Sequence, residues 1–212
     1  MIPPWVSAAS CGLSTLLIGP WWLRAMRREC SRWADHRATA IVLAGLMALS
    51  TLVGWRFAGD PVVVAWWWSG LCSVGLTIID LGEHRLPRSW LTAMGIGVLV
   101  VFAALPILRS DSAALWRAIT AAALVWLGMR LVEAVCAGAM GGGDTRLLAV
   151  LALQLGWLSW TAVLIGLVAG TLILGMTAGL GCLVGTHGWT SRVPAGPSLM
   201  LGFWVVVFLV AP

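Results

Sequence analysis

Residues 61–80 read PVVVAWWWSGLCSVGLTIID, a run of uncharged, mostly apolar residues that ends on Asp80. A helix needs about 20 apolar residues to cross a bilayer, and this run has that length. Similar runs recur along the 212-residue chain, in which 60% of the residues are hydrophobic and 10% are charged. A soluble domain carries about 25% charged residues. The sequence therefore predicts an all-α, polytopic transmembrane helix bundle and excludes a soluble globular protein.

The apolar runs predict about eight spans, or seven if the sixth and seventh runs form one kinked helix. The predicted spans cover residues 5–23, 38–55, 61–79, 90–108, 113–136, 147–155, 160–185 and 198–210. The connections between them are short, which leaves no room for a second domain. We therefore expect a single integral-membrane domain over residues 1–212.

The basic residues orient the predicted bundle. All 13 are Arg, and the densest group lies in residues 24–37, directly after the first predicted span. Arg accumulates in cytoplasmic loops of membrane proteins. Residues 24–37 are thus predicted to be a short basic cytoplasmic loop, and the N-terminus to lie outside. The Arg residues are scattered between apolar runs, so the expected partner is the lipid bilayer and not a nucleic acid.

The five cysteines show no CxxC pairing and fall mostly within apolar runs: Cys11, Cys30, Cys72, Cys136 and Cys182. Tetrahedral zinc sites and disulfide frameworks need clustered cysteines. We expect these cysteines to be small buried apolar residues, with no metal site and no cofactor.

Two of the eight acidic residues stand apart. The other six have local explanations in the Arg-rich loop, in turns, in a solvated loop or, for Glu133, in an ion pair with Arg130 three residues earlier. Asp80 ends the third predicted span, and Asp144 follows Gly141-Gly142-Gly143 just before the next apolar run. Ionisable groups at the bilayer boundary are costly and are commonly functional. Asp80 and Asp144 are therefore the candidate site residues.

Two predicted crossings separate Asp80 from Asp144, so both are expected at the cytoplasmic face. Two carboxyls in a partly desolvated site share one proton, so that one can deprotonate a water and the other can protonate a leaving amine. The glycines before Asp144 would let a peptide backbone approach closely. A proton- or ion-coupled membrane carrier would also use two such carboxylates, and these residues alone leave both functions open.

The sequence around the two acids is more specific. DLGEHRLP at residues 80–87 resembles the first catalytic motif of the type IV prepilin peptidase (leader peptidase) family, in which an apolar residue and a proline follow the Asp. AMGGGDTRLLA at residues 139–149 is similar to the second motif, the GxGD signature of membrane aspartyl proteases. A weaker similarity lies at residues 193–197. The resemblance covers residues 62–201.

The resemblance implies an aspartic endopeptidase of the bacterial cytoplasmic membrane. It would remove the N-terminal leader from prepilins or pilin-like proteins at the cytoplasmic face, in pilus biogenesis or protein secretion. Asp80 and Asp144 would be the catalytic pair. The supporting motif residues would be Gly141, Gly143, Arg146 and Pro87. A catalytically silent relative that escorts pilins stays an alternative; the carrier is the weaker one, because its carboxylates would lie near the bilayer midplane.

One feature departs from the family pattern. Many bacterial members carry a cytoplasmic insert with paired CxxC motifs, which binds zinc and accompanies methylation of the new pilin N-terminus. The corresponding residues 24–37 hold only Cys30. The chain thus resembles a short form of the family, and we expect neither zinc nor N-methyltransferase activity.

Overall fold

The computed structural model describes residues 3–30, 36–109, 111–136, 141–184 and 194–210. These residues form eight α-helices and no strand: α1 (Pro4–Glu29), α2 (His36–Arg56), α3 (Val63–Glu83), α4 (Arg88–Arg109), α5 (Ala113–Val135), α6 (Gly142–Leu158), α7 (Trp160–Leu183) and α8 (Gly196–Val210). Six of these eight helices are long and apolar enough to cross a membrane, and the other two, α6 with 17 residues and α8 with 15, are shorter. The all-α, polytopic helical fold class is confirmed.

The sixth and seventh predicted spans are separate helices. Ser159 has an extended backbone between α6 and α7, and its Oγ accepts a hydrogen bond of 2.9 Å from the backbone N–H of Ala162. A serine in this position satisfies one of the N–H groups that the first turn of a helix leaves without an intrahelical partner. The chain therefore has a helix end followed by a capped helix start here, and not one kinked helix.

The third helix extends further than the hydropathy pattern predicts. The predicted span stops at Ile79, whereas α3 continues through Asp80 to Glu83 and ends before His84, which has a φ of 49°. Gly82 lies inside this last turn, where a glycine costs about 1 kcal/mol. The predicted end of the third span at Ile79 was therefore too early for the helix: the charge of Asp80 ends the apolar run but not the helix.

The predicted basic loop over residues 24–37 is helical at both ends. The first helix continues to Glu29, and α2 begins at His36. Arg27 and Arg28 lie in the last turn of α1, where positive charge interacts favourably with the helix dipole. Residues 31–35 lie outside the described residues. The cytoplasmic location of this segment and the outside location of the N-terminus stay predictions.

Contacts divide the chain into two compact units, and the single domain over residues 1–212 stays a prediction. Unit 1 comprises residues 1–83 and 92–109, and unit 2 comprises residues 84–91 and 110–212. In unit 1, Thr15 donates to the Ser50 hydroxyl at 2.8 Å and accepts from the Trp67 indole at 2.9 Å. Trp22 donates to the carbonyl of Leu71 at 3.0 Å. These hydrogen bonds tie α1 to α2 and α3, as expected of helices that associate in lipid.

Unit 2 is built from helices that approach closely at glycines. A Cβ on Gly156 of α6 would lie 2.9 Å from the Cα of Ala118 of α5, and one on Gly202 of α8 would lie 2.5 Å from the backbone nitrogen of Gly170 of α7. Arg117 of α5 also donates to three carbonyls at the C-terminus of α6, those of Gly156, Trp157 and Leu158, at 2.7, 2.6 and 3.1 Å. The C-terminal end of α6 is thus fixed to α5 by packing and by one guanidinium group.

Candidate active site

Asp80 lies in the last turn of α3, in unit 1, and is 4% exposed. Burial of a carboxylate is costly, because the ionised form loses its hydration. The C-terminal end of a helix carries partial negative charge, which adds a further unfavourable term. A carboxyl group kept under these two conditions is a candidate for a proton-transfer role.

Asp144 is the third residue of α6, in unit 2, and is partly exposed. Its backbone N–H donates to the carbonyl of Gly141 at 2.9 Å, which closes the first turn. The N-terminal end of a helix favours negative charge. A Cβ on Gly141 would lie 3.2 Å from Oδ2 of Asp144. Gly141 therefore leaves the space beside this carboxylate open.

The end of the first motif contacts the second motif within unit 2. The loop between α3 and α4 places Leu86 against Gly143: a Cβ on Gly143 would lie 3.2 Å from the Leu86 Cβ and 3.6 Å from the Leu86 carbonyl oxygen. Pro87 is buried, and its carbonyl accepts from the backbone N–H of Leu91 at 3.2 Å, directly at the start of α4. Gly143 is thus needed for close approach of the first motif's loop to the start of α6.

The remaining predicted residues are located as follows. Arg146 is exposed on α6. Side chains two positions apart on a helix do not face each other, so Arg146 points away from the side that carries Asp144. His84 is exposed, as predicted for a loop histidine. In the weaker similarity at residues 193–197, residue 193 lies outside the described residues, and α8 begins at Gly196.

The sequence analysis missed one polar connection beside Asp144. The predicted ion pair between Arg130 and Glu133 is confirmed, with 2.6 Å between Nη1 and Oε2. In addition, the hydroxyl of Thr145 donates to the other carboxylate oxygen, Oε1, of Glu133. Thr145 is 1% exposed. The i, i+3 spacing predicts the ion pair, but nothing in the sequence indicates that α6 turns Thr145 towards α5.

The described residues contain no group of three or more His, Cys, Asp or Glu side chains that could hold a metal ion. Two of the remaining acids have the turn roles predicted for them. Asp60 accepts from the backbone N–H of Val62 and Asp111 from that of Ala113, both at 2.9 Å. These local bonds leave Asp80 and Asp144 as the candidate site carboxylates.

Comparison with known proteins gives one match. A family model described as the type IV leader peptidase family matches residues 63–184, which is more than half of the chain. The matched range runs from α3 to the end of α7 and includes both aspartates and both motifs, whereas residues 193–197 lie beyond it. Searches of curated proteins and of solved structures gave no match.

Proposed function

Because the chain belongs to the type IV leader peptidase family, we propose that it is an aspartic endopeptidase that removes the leader from prepilins or pilin-like proteins. Membership of the family implies a peptidase, and the six candidate spans make the chain a multi-pass membrane protein. The proposed location is the bacterial cytoplasmic membrane, with cleavage at its cytoplasmic face. The proposed catalytic residues are Asp80 and Asp144.

The contact of Leu86 with Gly143 is the observation that carries this proposal. Leu86 follows Asp80 by six residues, and Gly143 directly precedes Asp144. Six residues of chain reach at most about 20 Å. A short covalent segment therefore joins Asp80 to the loop residue that contacts the start of α6.

We assign different roles to the two carboxyls from the helix ends at which they lie. Asp144 is at the positive end of α6 and acts as the proton acceptor, and Asp80 is at the negative end of α3 and acts as the proton donor. In the proposed reaction Asp144 takes a proton from a water whose oxygen attacks the scissile carbonyl carbon. Asp80 gives its proton to the leaving nitrogen as the C–N bond breaks. The products are a leader with a new carboxyl terminus and a mature chain with a new amino terminus.

The locations of the two carboxyls also favour a peptidase over a carrier. A secondary carrier binds its ions near the bilayer midplane, where helices are broken. Asp80 and Asp144 instead lie in the terminal turns of α3 and α6. Terminal turns suit a reaction at the membrane boundary, where a leader outside the bilayer joins an apolar segment within it.

Co-expression with a test precursor checks the proposed function. The precursor carries a short basic leader, a Gly and then an apolar helix, and leader removal is followed by gel mobility and N-terminal sequencing. We expect processing by the unchanged chain and none by Asp80→Asn or Asp144→Asn. Asp111→Asn is the matched control. The Asp111 carboxylate accepts a hydrogen bond from the backbone N–H of Ala113, and the side-chain oxygen of Asn can accept the same bond. With equal amounts of each variant in the membrane, cleavage by either single active-site variant would contradict the assignment.

The mass of the processed product tests the short-form interpretation. Residues 24–37 lack the paired cysteines of the zinc-binding insert. We therefore propose a peptidase without methyltransferase activity, and we expect a mature product with an unmodified amino terminus. An added methyl group that depends on this chain alone would overturn that part of the proposal.

A further inference from the structure

The Glu133 carboxylate joins α5 to the residue that follows Asp144. One of its oxygens accepts from the Thr145 hydroxyl, and the other lies 2.6 Å from Nη1 of Arg130. Thr145 is 1% exposed, and the Glu133 side chain is 16% exposed. Both carboxylate oxygens are thus used, and the Thr145 bond is shielded from competing water.

We propose that Glu133 and Thr145 are positioning residues that fix the direction of the Asp144 carboxylate; the inference rests on the proposed function. Three glycines, at 141–143, precede Asp144 and give the chain at this point the greatest backbone freedom. The first turn of a helix also lacks intrahelical partners for its N–H groups. Thr145 carries the first side chain after Asp144, and its bond to α5 sets the rotation of this turn and hence the direction of Asp144.

The charge of Glu133 does not disturb this arrangement. Arg130 lies against Glu133 and balances its charge, and 57% of the Arg130 side chain is exposed, so that the guanidinium group stays hydrated. The Glu133–Thr145 connection therefore constrains the position of α6 without adding net charge beside the proposed catalytic residue.

Two other contacts between α5 and α6 lie far from Asp144. Gly156 packs against Ala118, and Arg117 caps the last turn of α6. Thr145 and Gly156 are eleven residues apart, or about 16 Å along a helix at 1.5 Å per residue. These two contacts join the helices at the C-terminal end of α6, whereas the Thr145 bond lies at the end that bears Asp144.

Steady-state cleavage of the test precursor by the purified full-length chain tests this role. The variant Thr145→Val keeps the shape of the side chain and removes the hydroxyl, whereas Thr145→Ser keeps the hydroxyl. We expect kcat, per folded protein, to fall about 10-fold to 100-fold in Thr145→Val with little change in KM, since a displacement of about 1 Å has an effect of that size. Thr145→Ser should restore most of kcat. Thr120→Val is the matched control, because that hydroxyl binds only carbonyls of its own helix.

A double-mutant cycle with Glu133→Met completes the test. Both changes break the same hydrogen bond, so the double variant should lose no more kcat than the more affected single variant. A structural role alone would lower the melting temperature and leave kcat per folded protein unchanged, and that result would overturn the inference. If the unchanged chain cleaves and Thr145→Val cleaves equally fast, the positioning role fails and the proposed function stands. If the unchanged chain does not cleave, both fail.

Discussion

The two helix ends that carry Asp80 and Asp144 are held in place differently. Asp80 lies in α3. In the most apolar stretch of α3, 67% of the residues are buried, a larger share than in any other candidate span of the described residues. Asp144 is partly exposed and follows three glycines. Side-chain packing constrains the first carboxyl, whereas hydrogen bonds from α5 constrain the helix of the second. Enlarging a side chain should therefore disturb the Asp80 end more, and removing polar groups should disturb the Asp144 end more.

Lengthening each carboxyl by one methylene gives the largest expected effect. Asp80→Glu and Asp144→Glu should each reduce cleavage about 100-fold, because the reacting oxygen moves by about 1 Å. Asp80→Glu should also lower the free energy of unfolding by about 1–3 kcal/mol, since it overpacks a buried position. Cleavage rates and thermal unfolding in detergent measure the two effects. Equal loss of stability in both variants would contradict the difference in packing.

Removing the guanidinium group of Arg117, which caps the C-terminal end of α6, should reduce the stability of the protein. Arg117→Met loses the hydrogen bonds to three carbonyls, and we expect the free energy of unfolding to fall by about 1.5–3 kcal/mol. The control is Arg28→Met, because Arg28 is exposed on α1. Thermal unfolding of both variants tests this capping role. An unchanged midpoint in Arg117→Met would show that packing alone holds that end.

Two neighbouring glycines offer a matched test of the loop contact. A Cβ on Gly143 would meet Leu86 at 3.2 Å, whereas one on Gly142 would meet nothing within 4 Å. Gly143→Ala should reduce the cleavage rate about 10-fold, since it displaces the loop or the start of α6 by a fraction of an ångström. Gly142→Ala should cleave at the unchanged rate. Equal rates in the two variants would exclude a role for the Leu86 contact.

The smallest expected effect concerns charge at the helix ends. Asp144→Asn removes a negative charge from the positive end of α6 and should lose about 0.3–1 kcal/mol of stability at low salt. In the proposed reaction Asp80 starts protonated, so Asp80→Asn removes no charge from the end of α3. We expect the unfolding midpoint of Asp80→Asn to lie above that of Asp144→Asn, with a gap that narrows in high salt. The reverse order would contradict the proposed proton states.

Much of the fold could be predicted from the sequence, because hydropathy reports directly on membrane crossings. Each predicted span corresponds to a helix, and the i, i+3 ion pair of Arg130 and Glu133 follows from helix geometry alone. Helix ends were less predictable. Hydropathy falls at the first charge, whereas the hydrogen bonds of α3 continue through Asp80, since a terminal turn tolerates a glycine and a charge.

Contacts between helices lie beyond the reach of the sequence pattern. Arg117 lies within the fifth predicted span, and its capping of α6 depends on where that helix ends against α5. The Thr145 bond to Glu133 depends on the rotation of α6 about its axis, which tertiary packing sets. The candidate carboxyls were predictable from their motifs, but the hydrogen bond that joins Thr145 to Glu133 was not.

The most direct test of the central claim is an intact-mass measurement on a reconstituted reaction. Purified full-length protein in lipid vesicles is incubated with the test precursor, alongside equal amounts of Asp80→Asn and Asp144→Asn. The unchanged chain should yield a leader and a mature product whose masses together exceed that of the precursor by one water, and both variants should leave the precursor intact. Fragments from either variant, or an intact precursor with the unchanged chain, would contradict hydrolysis by this pair of aspartates.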